Sequence, residues 1–227
     1  MKRFAVIGLG KFGQQLAKSL SASGAHVAAI DKVKSVIEQI RDQVSNAVCL
    51  DSTDEEALRS QGIDRVDTAV VSFGQGPSES FEAAVLTIVN LKSLGIRHVI
   101  ARAQSQTAGK VMLKVGADEV IYPEIETAQR WAYKLIAPQI GEKIDFAPGY
   151  SLARVKAPMS FDLKTLVELQ LRQKYNVNIV AIKRSNRSRS GQGGEIINVP
   201  MPNTTVYAGD ILMVAGADSD LANIPNE

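Results

Sequence analysis

The sequence predicts an α/β fold: a parallel sheet with helices on both faces, followed by a small α+β lobe. Three observations carry this. Short apolar runs alternate with helix-length segments through the first two-thirds of the 227 residues. The runs are continuously apolar, as strands covered on both faces must be. From about Tyr150 the pattern changes to a strand, one helix, and then mainly strands.

Phe4 to Ile7 is the first predicted strand, and a helix runs from about Phe12 to Ser23 with Leu16, Ala17 and Leu20 on one face. Gly24 stands where a helix C-terminal cap belongs. His26 to Ile30 is a second strand ending in Asp31, and Val36, Ile37 and Ile40 mark a second helix. Ala47 to Leu50 is a third strand, which makes Cys49 a buried strand position. A short helix from Asp54 to Ser60, a strand from Thr68 to Ser72 and a helix from Glu79 to Leu94 follow. His98 to Ala101, a helix from Ala108 to Val115, and Glu119 to Tyr122 complete a six-strand alternation.

Beyond Pro123 the spacing predicts a helix from Glu126 to about Ile140, kinked or ended by Pro138. Gly141 to Gly149 reads as a connector. Leu152 to Lys156 is a strand, and Leu163 to Lys174 an amphipathic helix with Ser160 or Asp162 as its cap. Val177 to Lys183, Ile196 to Val199 and Ile211 to Ala215 are strands, before a short helix from about Asp218. The expected domains are therefore residues 1–141 and 142–227. Within the second domain, between two of its strands, stands Ser185 to Gly194, with no apolar residue; it reads as a hairpin tip, with an anion or membrane-headgroup contact through Arg184, Arg187 and Arg189 as the alternative.

Composition removes several functions. The formal net charge is +2, so no nucleic-acid partner is expected. No apolar run approaches the roughly 20 residues that span a bilayer, and the N-terminus lacks a signal-peptide pattern. One cysteine makes neither an intrachain disulfide nor a Cys-rich metal site. A cytoplasmic location is expected.

Gly8-Leu9-Gly10-Lys11-Phe12-Gly13 is a G-x-G-x-x-G match that follows a strand and opens a helix, with an acid at the end of the next strand. That context identifies a Rossmann-type nucleotide site. Gly8 permits the turn, Gly10 lets phosphates approach the backbone, and Gly13 lets the helix pack against the sheet. The helix N-terminus offers N–H groups to phosphate. Asp31 is read as a ribose ligand that disfavours a 2′-phosphate, with helix capping as its alternative role. Asp51, Ser52 and Thr53 end the third strand, where they can meet an adenine ring or cap the next helix. Ser72, Phe73 and Gly74 end the fourth and wall the ribose or phosphates. Lys11 suits a γ-phosphate and Arg102 the same edge, with a plain solvated surface position as the alternative for each; Phe12 and Lys32 are counted with these contacts. Glu124 beside phosphates makes chemical sense with a bridging Mg²⁺; its alternative is favourable charge at a helix N-terminus. His26 and His98 fall at strand starts, away from this edge. No catalytic set is legible, and an NAD-dependent oxidoreductase is the competing reading.

These pieces together resemble the regulatory subunits of bacterial Ktr/Trk potassium uptake systems, built from RCK domains. The resemblance rests on Phe4 to Gly13, Asp31, Asp51 to Thr53, Val115 to Glu124, Lys174 to Arg184 and Ala208 to Gly216, in family order. It implies an RCK-N domain, a crossover helix that pairs subunits, and an RCK-C lobe. It implies a homodimer that assembles into an octameric ring on a membrane K⁺-translocating subunit, at the inner face of the membrane. ATP against ADP, or NAD(H), would shift the ring. The resemblance places Lys11 near the γ-phosphate of a neighbouring subunit's nucleotide and Glu124 near the phosphates and cation. It also raises cyclic di-AMP at the C-terminal lobe, with Arg172 and Arg184 as basic candidates.

Overall fold

In a computed structural model of the chain, the described residues are 2–73, 78–136, 140–185 and 194–225. They form two compact units, Met1–Glu126 and Thr127–Glu227, described in turn.

The first unit runs β1 (Arg3–Ile7), α1 (Lys11–Ala22), β2 (His26–Asp31), α2 (Lys34–Ile40), β3 (Asn46–Cys49) and α3 (Glu55–Ser60). It continues with β4 (Thr68–Val71), α4 (Ser78–Ser93), β5 (His98–Arg102), α5 (Gln106–Lys114), β6 (Glu119–Ile121) and the start of α6 (Pro123–Ile136). The strands form one parallel sheet in the order β3-β2-β1-β4-β5-β6. Alternate strand residues supply two cores, as the period of 2 requires. Ala5, Ile7, Ala28 and Ile30 pack with Leu58 of α3, Ile88 and Leu91 of α4, and Met112 of α5. Val6, Val27 and Ala29 face the other way, onto Ala17 of α1 and Ile37 and Ile40 of α2. Strand order reverses between β1 and β4, and such a switch point opens a crevice at the carboxyl ends of the strands.

Cys49 is exposed rather than buried. The reason is topological: β3 is the outermost strand, and an apolar flank in sequence does not tell an edge strand from a central one.

The second unit runs β7 (Ile140–Ala147), β8 (Tyr150–Lys156), β9 (Lys164–Thr165), α7 (Leu166–Leu169) and α8 (Leu171–Tyr175). Then come β10 (Asn178–Lys183), β11 (Ile196–Ile197), β12 (Thr205–Val206), β13 (Ile211–Ala217) and α9 (Asp218–Ala222). Five strands order as β11-β10-β13-β8-β7, and β9 pairs with β12. Ile140, Val155, Ile182, Leu212, Val214 and Leu221 are buried in its core.

Three expectations fail here. The predicted connector at 141–149 is mostly β7, an edge strand whose residues are largely exposed; Glu142, Lys143 and Asp145 hide its strand signal. The single helix predicted over 163–174 is two short helices parted by Gln170, which takes the left-handed conformation at φ 50°. Its cap is neither Ser160 nor Asp162. Thr165 and Glu168 form a reciprocal capping box, and Asp162 instead accepts from the backbone N–H of Ala208 at 2.8 Å. Pro138 and most of the 185–194 stretch, including Arg187 and Arg189, lie outside the described residues.

Candidate functional site

The glycine loop sits at the switch point because the backbone clips it to both neighbouring strands. The N–H of Gly8 donates to the carbonyl of Ile30 at 2.8 Å, and the N–H of Ser72 donates to that of Ile7 at 2.8 Å. Gly8 has φ +89°, and a Cβ there would stand 2.8 Å from Phe73 side-chain atoms. A Cβ at Gly13 would enter the Gly8 carbonyl, so α1 reaches the loop only through glycine. The Ser72 hydroxyl, almost wholly buried, donates to that same carbonyl. Gly10 differs: nothing lies within 4 Å of where its Cβ would be. It is the N-cap of α1 and makes no side-chain cap. The first-turn N–H groups of a helix have no intrahelical acceptor, and beside the α1 N-terminus no side chain or backbone crowds Gly10.

Asp31, at the end of β2, does more than the sequence shows. Its Oδ2 accepts from the N–H of Leu9 at 2.6 Å and its Oδ1 from that of Val33 at 2.9 Å. One carboxylate thus braces the glycine loop and the turn into α2, each oxygen keeping a lone pair. Lys32 beside it is exposed.

The segment after β3 is held by α4, a tie that motif reading missed. Ser52 is buried, and its hydroxyl is bonded to that of Thr87 at 2.8 Å rather than open to a ligand. Asn90 donates to the Thr53 carbonyl at 2.8 Å. Asp51 accepts from the Thr53 N–H at 3.0 Å and its hydroxyl at 2.8 Å. Those two bonds from Thr53, backbone first, hold the Asp51 carboxyl below the usual carboxylate range, with Lys32 helping and slight burial opposing. The signal for Thr87 and Asn90 lay in α4: they are polar residues among Ala84, Ile88 and Leu91, which are buried.

On the other side of the crevice Arg102, ending β5, pairs with Glu124 in the first turn of α6. Its guanidinium lies 5.2 Å from the Phe12 ring centroid. Phe73 is half-buried, and Lys11 is exposed at the start of α1. Gly74 lies outside the described residues. His26 and His98 open β2 and β5, at the opposite edge.

These residues fit a phosphate-bearing ligand. Gly10 leaves an open cradle at a helix N-terminus, and the shielded Nε–H of Arg102 lacks an acceptor among the described residues. No group of three or more His, Cys, Asp or Glu among the described residues could hold a metal by itself.

In the second unit Arg184 is not free to meet a ligand. It donates to the fully buried Asp210 at 2.6 Å and to the Thr205 carbonyl at 2.8 Å, and lies over Tyr207. Arg172 donates to the side chain of Asn178 at 2.9 Å.

Comparison with known proteins matches residues 4–123 to the TrkA-N domain family and residues 151–225 to the TrkA-C domain family. The chain is similar to Ktr system potassium uptake protein C of Bacillus subtilis (strain 168), 35% identical over 97% of this chain and 95% of that one. It is 31% identical to Ktr system potassium uptake protein A of the same organism, over 100% of this chain and 96% of the relative. Both are potassium uptake proteins rather than enzymes. Among solved structures, the GsuK RCK domain superposes with TM-score 0.60 at 16% identity, over 97% of this chain and 46% of that one. The GsuK channel bound to NAD gives 0.58 at 15% identity, over 97% and 38%. This chain thus spans less than half of either, and the likeness is one of fold.

Proposed function

The chain belongs to the family of the TrkA-N and TrkA-C domains, and on that membership we propose that it is a nucleotide-binding regulatory subunit of a K⁺ uptake system. The observation that carries this is the joint one: two Ktr potassium uptake proteins align with nearly the whole chain, and its N-terminal domain holds an open glycine cradle at a sheet switch point.

The ligand is ATP or ADP, or NAD(H). The first-turn N–H groups of α1 take phosphate oxygens, with Gly8 and Gly13 keeping the loop tight. Asp31 takes ribose hydroxyls with its remaining lone pairs. Asp51 and Thr53 line the adenine side; Ser52 supports them from within through Thr87. Ser72 and Phe73 wall the crevice. Lys11, Phe12, Lys32 and Arg102 complete the contacts, and Glu124 together with phosphate oxygens can hold a divalent cation such as Mg²⁺. Regulation requires that two nucleotides favour different conformations, since equal affinity for both states shifts nothing.

The partner is a membrane K⁺-translocating subunit met from the cytoplasmic side. The assembly is a homodimer that builds an octameric ring. The exposed apolar residues of α6 support pairing between copies: Trp131, Leu135 and Ile136 are 52%, 74% and 78% exposed. We assign residues 1–141 to the nucleotide domain with its crossover helix and 142–227 to the sensing lobe. For cyclic di-AMP in that lobe, Arg172 is the better candidate, because Arg184 is committed to Asp210.

The test is K⁺ flux through proteoliposomes carrying a Ktr-type translocating subunit. Adding the chain should change the flux, and ATP and ADP should change it differently. Flux indifferent to the chain under either nucleotide would overturn the proposal.

A further inference from the structure

The two partners of the Arg102–Glu124 pair differ in burial: their side chains are 11% and 59% exposed. Arg102 lies beneath the nucleotide crevice, against the Phe12 ring, and its Nη1 reaches the Ser72 carbonyl only at 3.5 Å. Its Nε–H is fully shielded and finds no acceptor among the described residues. A guanidinium carries five N–H donors in a rigid fork that suits two-pronged recognition of carboxylate or phosphate. A shielded donor without an acceptor is destabilising. Glu124 and Ser72 therefore leave Arg102 under-satisfied, next to the residues that close the glycine loop.

We infer that Arg102 exchanges partners: Glu124 holds its guanidinium in the ligand-free chain, and the phosphates of a bound nucleotide take it over. The inference rests on the nucleotide site proposed above and adds two properties to it. Glu124 is a built-in competitor that lowers nucleotide affinity. Its release also leaves no charge stranded in the interior. Glu124 is already more than half exposed, and a carboxylate in the first turn of a helix stays favourably placed against the helix dipole. Nucleotide binding is thereby read out at the start of α6, the helix along whose length the two compact units divide. A plain surface ion pair would not need its arginine buried, nor leave a shielded donor over.

The experiment is calorimetric titration of the full chain with ATP and with ADP, in EDTA so that no cation links Glu124 to phosphate. Glu124→Gln should bind both about three- to tenfold more tightly than the unmodified chain. In an Arg102→Gln background the same change should give no gain. If Arg102→Gln does not fold, as judged by circular dichroism, Arg102→Met replaces it. Equal or weaker binding by Glu124→Gln overturns the exchange. A gain that persists without Arg102 also overturns it, because removal of a negative charge would then act through its field alone. If the unmodified chain binds neither nucleotide, nor NAD(H), the nucleotide site itself has failed; binding with no gain sinks only the exchange.

Discussion

A Cβ added to Gly8 would stand 2.8 Å from the Cβ of Phe73, and Gly8 also lies at φ +89°. The first residue of the motif is thus fixed twice, by backbone conformation and by the wall of the crevice. Gly8→Ala should destabilise the fold by about 2 kcal/mol or more, because L side chains resist that conformation and Phe73 must move. Urea unfolding measures it. Gly10→Ala, where the space is open, should change stability by much less while still obstructing phosphate. Equal losses for the two would contradict this division of roles.

Lys11 should discriminate between nucleotides. It is exposed at the start of α1, and its charge suits the phosphate that ATP has and ADP lacks. Lys11→Ala should weaken ATP more than ADP in parallel titrations. Equal weakening would place Lys11 away from the γ-phosphate.

The second unit carries a pH signature. Lys143 donates to Asp218 at 2.8 Å and to Asp145 at 3.0 Å, and the buried Ser151 hydroxyl sits between the two carboxylates at 2.6 and 2.8 Å. Bonds from Lys143 and then Ser151 hold the Asp145 carboxyl below the usual range, against a little burial. Burial pulls the Lys143 ammonium down, but its bonds to Asp218 and Asp145 outweigh that and raise it. A depressed carboxylate stabilises the fold above its unfolded pKa, and that contribution is lost as pH falls through the folded value. A raised lysine stabilises below its unfolded pKa, and that is lost as pH rises through the folded value. Lys143→Met should therefore lower the melting temperature near neutrality. It should cost less in acid below the ordinary carboxylate range and in base above the ordinary lysine range. Asp145 is largely exposed, so solvent screens its share, and Asp218 should matter more on substitution. A pH-independent difference in melting temperature would refute the account.

Strand alternation and the glycine motif made the parallel sheet and its loop legible, because both are local patterns. Sheet order was not. It decides that Cys49 is exposed on an edge strand and that Gly8 and Ser72 end neighbouring strands. The site residues on loops were legible as types, yet several do other work. Asp31 braces Leu9, and Ser52 turns inward to Thr87. Asn90 was invisible to motif reading because its partner, the Thr53 carbonyl, belongs to the backbone. In the C-terminal lobe, charged residues masked β7, and Gln170 broke a helix that apolar periodicity alone would continue. Arg184 reads as an anion contact from its type and place, but the buried Asp210, 26 residues away in sequence, neutralises it.

The most direct test of the central claim is calorimetric titration of the purified chain with ATP, ADP, NAD⁺ and NADH. The account predicts that at least one binds more tightly than millimolar, and that Gly10→Ala abolishes this binding without unfolding the chain. All four binding more weakly than millimolar, or binding that survives Gly10→Ala unchanged, would contradict it.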